Sequence, residues 1–84
     1  MHAFLPMWHP MQEIEFTLNG EFVELNQLLK LVGLCDSGGA GKQMVASGDV
    51  SVDGQQELRK TAKIRAGQVV TCGDARIAVL AESS

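Results

Sequence analysis

The sequence predicts an α+β domain in which two N-terminal helices pack on a small, mostly antiparallel sheet, in the order β-α-α-β-β-β-β. Three observations predict it. Residues 13–18 alternate strictly between polar and apolar side chains, the period of a half-buried strand. Residues 22–32 carry apolar side chains at helical spacing. After Gly48 the period returns to two, and Asp53-Gly54 and Gly73-Asp74 separate the strand-like runs; such pairs suit two-residue hairpin loops. Runs of helices followed by runs of hairpins define the α+β class.

In the first strand, Ile14, Phe16 and Leu18 share one face and Glu13, Glu15 and Thr17 the other, and Asn19-Gly20 ends it. Phe22, Leu25, Leu28, Leu29 and Val32 then form one helical stripe. Gly33 is placed to take the left-handed position after that helix, with Leu34 behind it for the accompanying apolar contact. Lys30 falls in the last turn, where the helix dipole favours a cation.

Ser37 is expected to cap a second helix that runs to about Ser47 and closes at Gly48. Gly38, Gly39 and Gly41 weaken that helix, each by about 1 kcal/mol against alanine. Two explanations stay open. The glycines allow two helices to pack closely, or the helix starts late. Alternatively, bare N–H groups at a helix N-terminus leave room for an anion such as phosphate. Beyond Gly48, VSV and QQELR read as a hairpin across Asp53-Gly54. Ala66-Gly67 marks a turn, and QVVTC and RIAVL form a terminal hairpin.

A chain of 84 residues, 45% hydrophobic and 20% charged, has the composition of one small globular domain. Residues 11–84 are expected to form it. The opening MHAFLPMWHP, broken by two prolines, is expected to be a disordered or loosely packed extension. It lacks the basic start and small-residue cleavage site of a secretory signal. Cys35 and Cys72 are too few for the disulfide framework of a small secreted domain; they read as reduced thiols in a cytoplasm. His2 and His9 lack metal-ligand spacing with either cysteine, so no metal or cofactor is expected.

The net charge of −3 argues against nucleic acid, but its distribution does not. Residues 1–29 contain Glu13, Glu15, Glu21 and Glu24 and no Lys or Arg. All seven basic residues lie between Lys30 and Arg76, and four of them (Arg59, Lys60, Lys63 and Arg65) fall in the acid-free stretch RKTAKIR. Binding follows the local field rather than the sum. Arg76, on a strand, is as apt to pair with an acid as to meet a ligand.

The run DSGGAGKQ invites comparison with the nucleotide P-loop, G-x-x-x-x-G-K-[ST]. Counting back from Gly41-Lys42, the first glycine would be Asp36, and the magnesium hydroxyl would be Gln43. An aspartate repels phosphate and a glutamine cannot replace that hydroxyl, so the NTPase reading fails. The aspartates show no acid–base spacing and no histidine follows residue 9. An enzyme is therefore not expected.

In series, VELNQLLKLVGL, DSGGAGKQMVA, GDVSVDG, RKTAKI and GQVV resemble the small RNA-binding domain first seen in small-subunit ribosomal protein four. The glycine-rich GGAGK and the ELRKTAKI segments look closest to its stand-alone bacterial, YbcJ-like, ribosome-associated branch. The resemblance implies a paired-helix αL motif and no catalytic domain. It also implies that helix two and the basic segment form one surface for structured RNA, ribosomal RNA above all. On that surface it puts Lys30, Ser37, Gly38, Gly39, Lys42, Arg59, Lys60, Lys63 and Arg65. Many members carry an arginine after the capping serine. Gly38 stands there in this chain, which leaves Lys42 and the backbone N–H groups as the contacts. The implied protein is a cytoplasmic monomer with no small-molecule substrate and no membrane partner.

Two rivals share parts of the pattern. IEFTLNGEFVEL also opens like a β-grasp protein-interaction module, although the C-terminal AESS lacks the Gly-Gly of sulfur carriers. Whether FVELNQLL is helix or strand separates the two. Gly38-Gly39-Ala40-Gly41 fits the G-x-x-G loop of a KH domain, against which the terminal hairpins speak. Trp8, Phe4 and the methionines are expected to pack loosely rather than stack on bases.

Overall fold

A computed structural model describes residues 12–82; the expectations for residues 1–10, including His2, Phe4, Trp8 and His9, lie outside the described residues. The elements in chain order are β1 (Gln12–Leu18), β2 (Val23–Glu24), α1 (Leu25–Leu31), α2 (Gly38–Ala46), β3 (Val50–Val52), β4 (Gln55–Gln56), β5 (Lys63–Ile64), β6 (Val69–Cys72) and β7 (Ala75–Ala81). The expected longer elements are all present in the expected order. The two-residue strands β2 and β5 are additions.

Five strands form one sheet in the order β1-β7-β6-β3-β4, and β2 pairs with β5 in a separate ribbon. All pairs are antiparallel except β1 with β7, which are parallel with Ile14 opposite Ile77 and Phe16 opposite Val79. That register follows from the alternation. It sets Ile14, Phe16 and Leu18 on the same face as Ile77, Val79, Val70 and Val50, and a slip of one residue would turn the whole set to solvent. Against this face pack Leu25, Leu28 and Leu29 of α1, Val45 of α2 and Ile64 of β5, all buried. Each such side chain contributes roughly 1.5–3 kcal/mol by leaving water.

The helix ends use the predicted chemistry. Gly33 sits at a φ of 86°. Its N–H donates to the Lys30 carbonyl and the Leu34 N–H to the Leu29 carbonyl, both at 3.0 Å. This double bond pattern closes α1 as a Schellman motif. Ser37 Oγ accepts from the Ala40 N–H at 3.1 Å and caps α2. The turn residues Asp53 and Gly54 both take positive φ, 52° and 85°, as a type I′ hairpin requires.

Two boundaries differ from expectation. α1 starts at Leu25 rather than near Phe22, because Val23 and Glu24 extend to pair with Ile64 and Lys63. Beyond Gln56 the fourth strand ends early, where Glu57 turns its carboxylate onto Arg59. The segment FVELNQLL is helical from Leu25 onward, and the described chain ends in the β6–β7 hairpin rather than a helix. Neither described helix is long and apolar enough to cross a membrane.

Candidate nucleic-acid interface

Asn26, in the first turn of α1, joins the basic segment to the glycine-rich start of α2. Helix α1 has no side-chain cap at Glu24. Its orphan N–H groups are satisfied from a distance: Leu25 donates to the carbonyl of Ala62 at 2.8 Å and Asn26 to that of Lys60 at 3.1 Å. The Ala62 N–H in turn donates to the Arg59 carbonyl at 3.2 Å, closing a turn with Lys60 and Thr61 at its tip. On the other side, Asn26 Nδ2 reaches the Gly38 carbonyl at 3.5 Å. One residue, 2% exposed, thus holds the basic turn and the start of α2 against the same end of α1. Its Oδ1 has no hydrogen-bond partner among the described residues.

The glycines of α2 divide between the two explanations left open by the sequence. A Cβ on Gly41 would lie 2.5 Å from the Asn26 carbonyl oxygen, so this glycine permits the close approach of α1 and α2. On Gly38 a Cβ would meet the Gln27 side-chain amide at 2.7 Å, a flexible neighbour. Gly39 is exposed, and its nearest neighbour, Ser37 Oγ, would be at an ordinary 3.8 Å. No packing demand explains it. Among the described residues, the N–H groups of Gly38 and Gly39 have no acceptor, whereas those of Ala40 and Gly41 bond to the Ser37 hydroxyl and carbonyl. The open end of α2 therefore presents two free donors and the positive end of its dipole.

The cations differ in availability. Lys42, Lys60, Lys63 and Arg65 are exposed. Arg59 is held by Glu57, with Nε to Oε2 at 3.0 Å and Nη2 to Oε1 at 3.1 Å, the one ion pair among the described residues. This two-point contact lowers the Glu57 carboxyl below its usual range and raises the Arg59 guanidinium. A phosphate approaching Arg59 competes with that carboxylate. Lys30 stands at the far end of α1, apart from the Asn26 junction. Arg76 lies opposite Glu13 on the sheet face away from the helices, in a shallow hollow shared with Glu15 and Ala78.

Sequence reasoning missed Asn26. A lone asparagine in an apolar stripe carries no signal, and its role depends on partners 12 and more residues away.

This pair of helices, laid on a small sheet with a basic turn at the start of the first helix, is the αL RNA-binding fold. A family model described as S4 domain matches residues 16–80. The chain is 48% identical over 59 residues to "Putative RNA-binding protein YbcJ" of Escherichia coli (strain K12), a span of 70% of this chain and 84% of that one. The figures are the same for "Uncharacterized protein YbcJ" of Shigella flexneri. The solution structure of YbcJ from E. coli, described as revealing an αL motif involved in RNA binding, superposes with a TM-score of 0.64. It shares 38% identity with this chain, and 95% of each chain is covered. The chain belongs to the S4 domain family.

Proposed function

We propose that this protein is a non-catalytic module that binds structured RNA, ribosomal RNA in the first place, by its phosphates. One observation carries the reading: Asn26 draws the donor-bearing start of α2 and the basic turn around Lys60 to one end of α1. Free N–H groups and lysines on one surface favour closely spaced negative charges. Gly38, Gly39 and Lys42 contact the phosphate at the start of α2 and Lys60, Lys63 and Arg65 the phosphates that follow, with Arg59 and Lys30 at the margin and Ser37 fixing the helix start. Double-stranded RNA offers side chains few readable base edges, so selection rests on shape. The protein acts in the cytoplasm as a monomer and uses no cofactor.

Cross-linking in growing cells, followed by sequencing of the captured RNA, tests the reading. Recovery of structured segments of ribosomal RNA is the expected result. A set of captured RNAs without structured segments would sink it and leave a protein partner as the alternative.

A further inference from the structure

The β2–β5 ribbon turns Val23 and Ile64 toward the core, with Ile64 1% exposed. Alternation then sends Phe22, Glu24, Lys63 and Arg65 outward. Phe22 stands beside Arg65, one step beyond the paired residues. Phe22 is 39% exposed and takes no part in the core cluster. Single exposed apolar residues are ordinary, but this one lies among cations. The Lys63 ammonium is 4.9 Å from the ring centroid and the Arg65 guanidinium 5.9 Å. Lys63 takes this position although Glu24 is its partner across the ribbon.

We propose that Phe22 is a stacking platform for one unpaired base of the bound RNA, with Lys63 and Arg65 holding the phosphates that flank it. The inference rests on the RNA-binding reading above and adds a feature of the ligand: a loop or bulge at the edge of the paired region. The chemistry follows from the geometry. An aromatic face attracts a cation weakly when both are in water, so a phosphate can draw the two flexible side chains outward and uncover the ring. A base offers that ring a larger and flatter partner. Bases inside a duplex are already stacked, so only an unpaired one can occupy the platform. Glu24, on the same outward face, repels phosphate and favours passage of the backbone on the Arg65 side.

The test compares two RNAs with equal numbers of phosphates, a hairpin with an unpaired loop and a fully paired duplex, against wild type and Phe22→Leu. NMR verifies the fold of each protein. Leucine keeps the apolar bulk and removes the π-face. The expected result is a loss of roughly 5- to 150-fold on the hairpin, the range of one stacked base. Duplex affinity and salt slope stay unchanged, and Phe22→Trp restores hairpin binding. Equal losses on both RNAs, with a shallower salt slope, would mean that the ring only positions cations and would overturn the proposal. So would no loss on either. Wild type that binds neither RNA overturns the functional reading and this inference together. If Phe22→Leu does not fold, 2-aminopurine in the hairpin loop decides with wild type alone: quenching on binding is expected, and unchanged emission refutes the platform.

Discussion

Replacing Gly41 with alanine separates packing from helix propensity when it is set beside the same change at Gly39. Both residues lie in α2 and neither has a positive φ, so alanine gains up to about 1 kcal/mol of propensity at each. At Gly39 nothing opposes that gain, because the nearest atom to the new Cβ is 3.8 Å away. At Gly41 the Cβ would stand 2.5 Å from the Asn26 carbonyl oxygen and 3.2 Å from its carbonyl carbon and Cα. These are backbone atoms of a buried residue, so a helix must move. Overpacking of this kind costs about 1–3 kcal/mol. To first order the propensity gain cancels between the variants, and Gly41→Ala should be less stable than Gly39→Ala by that amount. For a domain of this size the difference separates the melting temperatures by roughly 5–20 °C. Thermal unfolding followed by circular dichroism measures it. Equal melting temperatures would show that the helix pair does not depend on the missing Cβ, and the packing role assigned to Gly41 would be wrong.

Gly39→Glu should remain folded, since the site is open, yet lose RNA binding, because a carboxylate would stand at the free donors of α2. Unchanged affinity in the folded variant rules out a phosphate there. Glu57→Gln should release Arg59 from its ion pair, tighten RNA binding and steepen the salt slope by up to about one unit; an unaltered slope would place Arg59 outside the interface. Burial pushes the Cys72 thiol up, with smaller contributions from Asp49 and Cys35. The thiol therefore loses its proton more readily in the unfolded chain. Its contribution to stability is complete below the ordinary thiol pKa of about 8.5 and declines as pH rises from there through the folded value. Urea unfolding at pH 7.5 and above pH 9 should show this decline, and Cys72→Ala should reduce it.

Local chemistry made most of the fold legible. The alternation in β1, the stripe of Leu25, Leu28 and Leu29, the cap at Ser37, the Gly33 terminus and the Asp53-Gly54 hairpin each depend on neighbours a few residues apart. What was not legible depends on distant partners. The start of α1 is determined by carbonyls of Lys60 and Ala62 rather than by a side chain beside it. The ribbon of β2 and β5 joins residues 41 and 39 positions apart in only two pairs, Val23 with Ile64 and Glu24 with Lys63, too few to leave a period. The charge map and the family framework indicated the basic turn and the glycine-rich helix start. They could not show that Gly41 serves packing while Gly39 stays open, or that Glu57 occupies Arg59. By spacing alone, Phe22 falls on the apolar face of a helix. The two-residue strand that follows it turns its ring outward, toward Lys63 and Arg65.

The salt dependence of RNA affinity tests the central claim most directly, measured for wild type and for Lys60→Glu/Lys63→Glu with folding confirmed by NMR. Lys60 and Lys63 side chains are both exposed, so the double variant should fold. With about three to five phosphate contacts, wild type should show a log–log slope of roughly −2 to −4. Losing two contacts should make the slope shallower by about two units and weaken RNAs of different sequence alike. A folded double variant that binds as tightly as wild type, with the same slope, would contradict the account and reduce the basic turn to a solvated loop.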